Sequence, residues 1–202
     1  MNTYSIPLNF DLPLFNTSLV PAQFLKSQSA WADNVKTNPR LACHFKLNWE
    51  TDLSNQLKQF FLDHGQEIRL CEIFYRYPNT LSGIHSDDKE VGDYSKMNWI
   101  LGGEDSEMHW YTINESHYNK IASKPKNETP INSYSILYLP EDVTVAYSEN
   151  VRGPAIVQVG VPHNIRNGNQ ERWCVSIVFR DPNLGRRPTM LEAKEIFKQY
   201  LV

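Results

Sequence analysis

The sequence predicts a mainly-β chain: a double-sheet barrel of the jelly-roll or cupin-like kind, with helices laid over it. Three observations carry this. From residue 66 to 182 the chain is a series of short segments rich in β-branched and aromatic residues. Turn residues separate them, as in "YPNTLSG", "GGEDS", "NVRGP" and "NGNQ". Helical patterns are confined to the N-terminal third and the last residues, which suits a β core covered by helices. Roughly seven or eight short antiparallel strands suit a jelly roll. An immunoglobulin-type sandwich competes but explains the N-terminal helices poorly.

The elements follow in order. "VPAQFLKSQSAWADNV" (20–35) reads as a short helix with Pro21 in its first turn. "TDLSNQLKQFFLDHG" reads as a stronger one. Asp52 can cap it, Leu53, Leu57, Phe60 and Phe61 form an apolar stripe, and Gly65 can end it. Strands are expected at "EIRLCEIFYRY", "KMNWILGG", "SEMHWYTI", "SYSILYLP", "DVTVAYS", "PAIVQVGV" and "RWCVSIVFR". A helix, "TMLEAKEIFKQYLV", closes the chain. The whole is expected to be a single domain over 1–202. Residues 1–65 give helical support, 66–182 the barrel core and 183–202 the C-terminal helix.

The last strand has two faces. Trp173, Val175, Ile177 and Phe179 form an apolar face that wants a covering helix. Arg172, Cys174, Ser176 and Val178 form the other, which suits a polar lumen.

Composition narrows the function classes. The chain has 202 residues, 41% hydrophobic and 21% charged, as expected of one globular domain. A net charge of −3 and no basic run argue against nucleic acid as a partner. The N-terminal "MNTYSIPLNFDLPLF" lacks a basic region and a continuous apolar stretch, so no secretory signal is expected. No apolar run has membrane-spanning length, so no membrane partner is expected either. Cys43, Cys71 and Cys174 are scattered and form no CxxC pair, which points to reduced thiols and a cytoplasmic protein. Cys174 reads as a small apolar filler.

"SGIHSDD" raises the functional question. His85-Ser86-Asp87 alone is a weak motif, equally read as a solvated turn after a strand. Its two side chains point the same way by alternation, which favours Asp87 over the adjacent Asp88. A second histidine, His163, ends "PAIVQVGVPH" in phase with Val161, Val159, Val157 and Ala155. Two imidazoles and one carboxylate can hold one face of an Fe(II) octahedron and leave the other positions open. A short step later comes Arg172, on the lumen side of its strand. A buried guanidinium needs a carboxylate and can grip one with both arms. Ser176 lies on the same face, where its hydroxyl could assist.

These residues resemble the Fe(II)/2-oxoglutarate-dependent oxygenase superfamily, in its prolyl-hydroxylase-like or aspartyl/asparaginyl-hydroxylase-like branches. That family's fold is the double-stranded β-helix. Its pattern is His-x-Asp/Glu, a distal His, then an Arg or Lys on the last core strand. Here these stand as "HSD" with His85 and Asp87, "PHNI" with His163, and "RWCVS" with Arg172. "FYRYPNTLSGIHSD" looks like the approach strand, which puts Tyr77 near the co-substrate. The resemblance covers residues 66–182. It implies Fe(II) on His85, Asp87 and His163, with 2-oxoglutarate chelating the metal and pairing with Arg172. O2 is the oxidant, and succinate and CO2 are released as a C–H bond is hydroxylated. Arg180 is the alternative carboxylate partner.

Asn98 is either a further contact to the co-substrate carboxylate or a solvent-facing strand residue. His109 reads as a satisfied barrel histidine or a substrate contact, with a third metal histidine the lesser alternative. His64 reads as a helix C-terminal residue facing the dipole. Tyr77, Trp99 and Trp110 would be the nearest targets of uncoupled oxidation. The implied substrate is an amino-acid or peptide side chain, or another small molecule. A cupin-like metal-binding module without 2-oxoglutarate turnover is the competing class, and Arg172 is what argues against it.

Overall fold

The computed structural model describes residues 4–10, 43–46, 52–87, 91–117, 127–128 and 134–202. The helix expected over 20–35 and Asp88 lie outside them.

Among the described residues, two antiparallel six-stranded sheets face each other. The first contains β1 (Ser5–Pro7), β2 (Cys43–Lys46), β3 (Glu67–Arg76), β5 (Ser95–Gly102), β10 (Gly153–Gln158) and β12 (Arg172–Arg180). Its order is β1-β10-β5-β12-β3-β2. The second contains β4 (Ile84–Asp87), β6 (Glu107–Ile113), β7 (Asn127–Glu128), β8 (Tyr134–Tyr138), β9 (Val143–Glu149) and β11 (His163–Arg166). Its order is β7-β8-β4-β11-β6-β9. Chain neighbours β3, β4, β5 and β6 thus alternate between sheets, and so do β10, β11 and β12. This alternation makes the fold a double-stranded β-helix rather than an immunoglobulin-type sandwich.

Helix α1 (Asp52–Asp63) and helix α2 (Met190–Ile196) cover the outer face of the first sheet. Leu57 and Phe61 of α1 and Met190, Ala193 and Phe197 at α2 pack on Val175, Ile177 and Phe179 of β12. Trp173 packs against the same cluster. Phe61, Phe179 and Phe197 are fully buried. Each contributes roughly 2–3 kcal/mol of apolar transfer. The apolar face of β12 therefore meets helices, as its alternation predicts.

Local chemistry ends and starts these helices. After α1, Gly65 adopts φ +68 and donates its N–H to the Leu62 carbonyl, while Gln66 donates to that of Phe61. This pair of bonds is a Schellman stop, which a left-handed glycine makes possible. Thr189 caps α2, accepting from the Glu192 N–H at 3.2 Å while the Glu192 carboxylate takes the Thr189 N–H at 2.8 Å.

A second cluster fills the lumen between the sheets. Ile100, Ala155, Val157 and Cys174 come from the first sheet, and Met108, Trp110 and Ile165 from the second. Cys71 and Cys174 are free and buried.

Two expectations need correction. Residues 84–87, read as a turn after a strand, form β4 and pair with both β8 and β11. The strand expected to run through "PAIVQVGV" ends at Gln158. The chain then crosses to the other sheet and begins β11 at His163. Pro162 lacks the N–H that a continuous ladder requires. The inward phase of His163 survives this crossing, since Ala155, Val157 and Val159 line the lumen and Val161 packs beside them. Among the described residues no helix is long and apolar enough to cross a membrane.

Candidate metal centre

Pairing of β4 with β11 brings the two histidines together. His85 and His163 are register partners, with ring centroids 4.5 Å apart and planes at 49°. Asp87 lies two residues along β4, on the same face. One ligand atom from each of His85, Asp87 and His163 lies within 4.8 Å of the other two.

The backbone orients both rings. His85 Nδ1 donates to the Gly83 carbonyl at 2.9 Å, and His163 Nδ1 donates to the Val161 carbonyl at 2.9 Å. A carbonyl only accepts, so each Nδ1 carries a proton, and in the neutral ring Nε2 is the nitrogen with the free lone pair. This is the outer-shell arrangement that prepares a histidine for a metal. His85 Nε2 stands 3.6 Å from Asp87 Oδ1.

Lys96, on β5, grips the other oxygen. Its Nζ is 2.6 Å from Asp87 Oδ2 and 4.0 Å from Glu72 Oε2. Lys96 and Glu72 are both buried. Burial works against the Asp87 charge, yet Lys96, and after it His163 and His85, hold its pKa well below the usual carboxylate range. Burial, and then His85, push His163 down to about 4. His163 is therefore neutral at neutral pH, the state in which an imidazole ligates.

Donor set and protonation fit a divalent first-row metal. Two imidazoles and one carboxylate can bind three positions and leave the remainder of an octahedron open. Lys96 occupies Oδ2, so Oδ1 is the oxygen available to the ion.

Arg172 opens β12 at the far end of β5 from Lys96, where it pairs with Gly102 on one side and Arg76 on the other. It is 4% exposed, and among the described residues its Nε has no hydrogen-bond partner. Burial lowers its pKa. Gly103, at φ +59, packs so closely that a Cβ there would stand 2.7 Å from the Arg172 Cβ. Ser176 is buried in the lumen between its register partners Glu72 and Asn98. Asn98 is buried on the same face, so its solvent-facing alternative falls. Arg180 forms an ion pair with Glu67 and is a third exposed. It already holds a carboxylate.

Tyr77 is not where the sequence put it. Its ring packs at 4.9 Å edge-on to Tyr75, in the cluster under the helices. The strand residue facing the lumen there is Arg76, in step with Glu72 and Phe74. Trp99 also lies in the outer cluster. Of the three aromatics expected beside the oxidising centre, only Trp110 faces the lumen, as the register partner of His163. His109 is on the opposite face of β6 and bonds Glu107 at 3.1 Å, which rules it out as a third ligand. His64 sits at the end of α1, with Nδ1 donating to the Phe60 carbonyl.

Sequence reasoning missed Lys96, Glu72 and Arg76. Alternation was the available signal: Lys96 is in phase with Asn98, and Arg76 with Glu72 and Phe74. A groove of about 950 Å³ lies on the outer face of the second sheet, against Ile84, Tyr111, Tyr138 and Asn164. None of His85, Asp87 and His163 lines it.

No protein-family profile matches the sequence, and no curated protein does. Several solved structures are similar at low identity. HygX from Streptomyces hygroscopicus, with nickel and 2-oxoglutarate bound, is 8% identical over 88% of this chain and 82% of its own, with a TM-score of 0.46. E. coli ycfD is 14% identical over 76% of this chain and 36% of its own, with a TM-score of 0.41. The coconut allergen cocosin is 15% identical over 69% of this chain and 26% of its own, with a TM-score of 0.34. The chain thus spans about a third of ycfD and a quarter of cocosin.

Proposed function

We propose that this chain is an Fe(II)- and 2-oxoglutarate-dependent oxygenase. It hydroxylates a C–H bond of an amino-acid or peptide side chain, or of another small molecule. The observation that carries this reading is the pairing of a His-Asp-His donor set with a buried arginine that meets no carboxylate among the described residues, at two ends of one lumen. A metal-binding cupin-like module would use the first and have no use for the second.

His85 Nε2, His163 Nε2 and Asp87 Oδ1 would hold Fe(II). With 2-oxoglutarate and O2 it supplies the oxidation, which yields hydroxylated substrate, succinate and CO2. The chain does the rest. The Gly83 and Val161 carbonyls hold the two imidazoles in their ligating tautomer. Lys96 keeps Asp87 ionised and turned. Arg172 meets the distal carboxylate of the co-substrate, with Ser176 and Asn98 along the lumen wall. Trp110, Ile165 and Val159 keep water from that wall. The single-domain organisation over 1–202 and the cytoplasmic setting belong to the same proposal.

An anaerobic titration tests it. Fe(II)-loaded protein is expected to develop a visible absorption band as 2-oxoglutarate chelates the metal. The band is expected to vanish in His163→Ala and to weaken in Arg172→Ala. Folded, iron-loaded protein without a band would replace the oxygenase with the metal-binding module.

A further inference from the structure

Arg76 and Arg172 are direct register partners on β3 and β12. Both face the lumen, since Phe74 and Cys174, the adjacent pair on the same face, pack in its apolar cluster. Arg172 is buried and Arg76 half-buried. Among the described residues, no carboxylate lies within ion-pair distance of either guanidinium. The nearby acids are engaged elsewhere: Glu72 and Asp87 face Lys96, and Glu171 accepts from the Tyr75 hydroxyl at 2.7 Å on the outer face.

Two cations on neighbouring strands, withdrawn from water, repel each other. Burial, and then Arg172, push the Arg76 pKa down to about 10. Such an arrangement is stable at a cost, and an anion between the two relieves it. A carboxylate has two oxygens and about four lone-pair sites, enough for two guanidinium arms. Gly102 and Gly103 pack closely against Glu171 and Arg172 beside them.

We propose that Arg76 is a second specificity residue, which joins Arg172 in gripping the distal carboxylate of a 2-oxo dicarboxylate and makes the lumen reject 2-oxo acids without one. This inference rests on the oxygenase reading. It replaces the hydroxyl of Tyr77 with a second full charge.

The test is binding by calorimetry to Mn(II)-loaded protein, with 2-oxoglutarate and with 2-oxopentanoate, which carries a methyl in place of the distal carboxylate. Wild type is expected to favour 2-oxoglutarate by about 100-fold, the worth of two charge-assisted contacts. Arg76→Met is expected to weaken 2-oxoglutarate about 10-fold, to leave 2-oxopentanoate and Mn(II) unchanged, and to melt no lower than wild type without ligand. Arg76→Lys, which retains the charge and folds more conservatively, is expected to fall between the two. Wild-type affinity for 2-oxoglutarate in both variants would overturn the role of Arg76 and leave the oxygenase reading standing. Wild-type protein that takes Mn(II) but neither acid would overturn both.

Discussion

The two ends of the lumen are built on opposite electrostatic plans. At the metal end, charges come with partners: Asp87 has Lys96, and Lys96 also faces Glu72. At the arginine end, Arg76 and Arg172 stand side by side, with no carboxylate paired to either among the described residues. One end is organised before anything binds. The other is where the proposed anion would offset the repulsion. Binding sites commonly carry such locally unfavourable charge, because what destabilises the free protein strengthens the complex.

The sharpest way to break this comparison is to remove a metal ligand. His163→Ala is expected to weaken Mn(II) binding more than ~100-fold, beyond the loss that a missing outer-shell contact gives. Equilibrium titration followed by the paramagnetic resonance of free Mn(II) measures it. Affinity within a few-fold of wild type would mean that the donor set is structural.

The next largest effect concerns folding. Lys96→Met strips Asp87 of its cation and is expected to destabilise the metal-free protein by about 3 kcal/mol. Arg76→Met is expected to cost nothing there, and this contrast separates the two ends. Urea unfolding of both variants reads it. Equal losses would show that the ends do not differ.

Acid should act on the metal end. His163 titrates at about 4 in the folded chain, against an ordinary 6.5 when unfolded. Between these values the unfolded chain binds more protons, so folding stability falls as pH drops from 6.5 to 4. The Asp87 pKa is lowered as well, and its contribution is lost further down, below the usual carboxylate range. The His163 part is expected on the order of 3 kcal/mol. His163→Asn, similar in shape and without a titration, should flatten the melting temperature across that window. An unchanged slope would assign the acid sensitivity to other groups.

The smallest effect lies outside the lumen. Thr189→Ala removes the cap of α2 and is expected to cost about 1 kcal/mol. It should leave Mn(II) and 2-oxoglutarate affinity unchanged, since α2 packs on the outer face of the first sheet. A loss of affinity would tie the helical layer to the site.

Much was legible from periodicity. The alternation of β12 separated a helix-covered face from a lumen face, and the structure has both. The apolar phase of "PAIVQVGVPH" placed His163 inward across a proline and a change of sheet. Where the sequence reading failed, it had chosen a residue by type instead of by phase. Tyr77 came from the resemblance of its approach strand, whereas alternation along Glu72, Phe74 and Arg76 puts Arg76 on the lumen face. Lys96 went unnoticed because a lysine at the start of a strand resembles an ordinary surface residue.

Sequence alone determined that Arg172 shares a face with Cys174 and Ser176, that His85 and Asp87 point the same way and that His163 is in phase with the apolar residues before it, because side chains alternate with a fixed period of two. It also placed the end of α1, through Gly65. Tertiary structure decided the company these residues keep: His85 opposite His163, Lys96 on Asp87, Arg76 beside Arg172. The physical reason is register. Period two is a property of one strand, whereas the residue that stands across from it depends on which strands pair and at what offset. In this fold those strands come from distant parts of the chain.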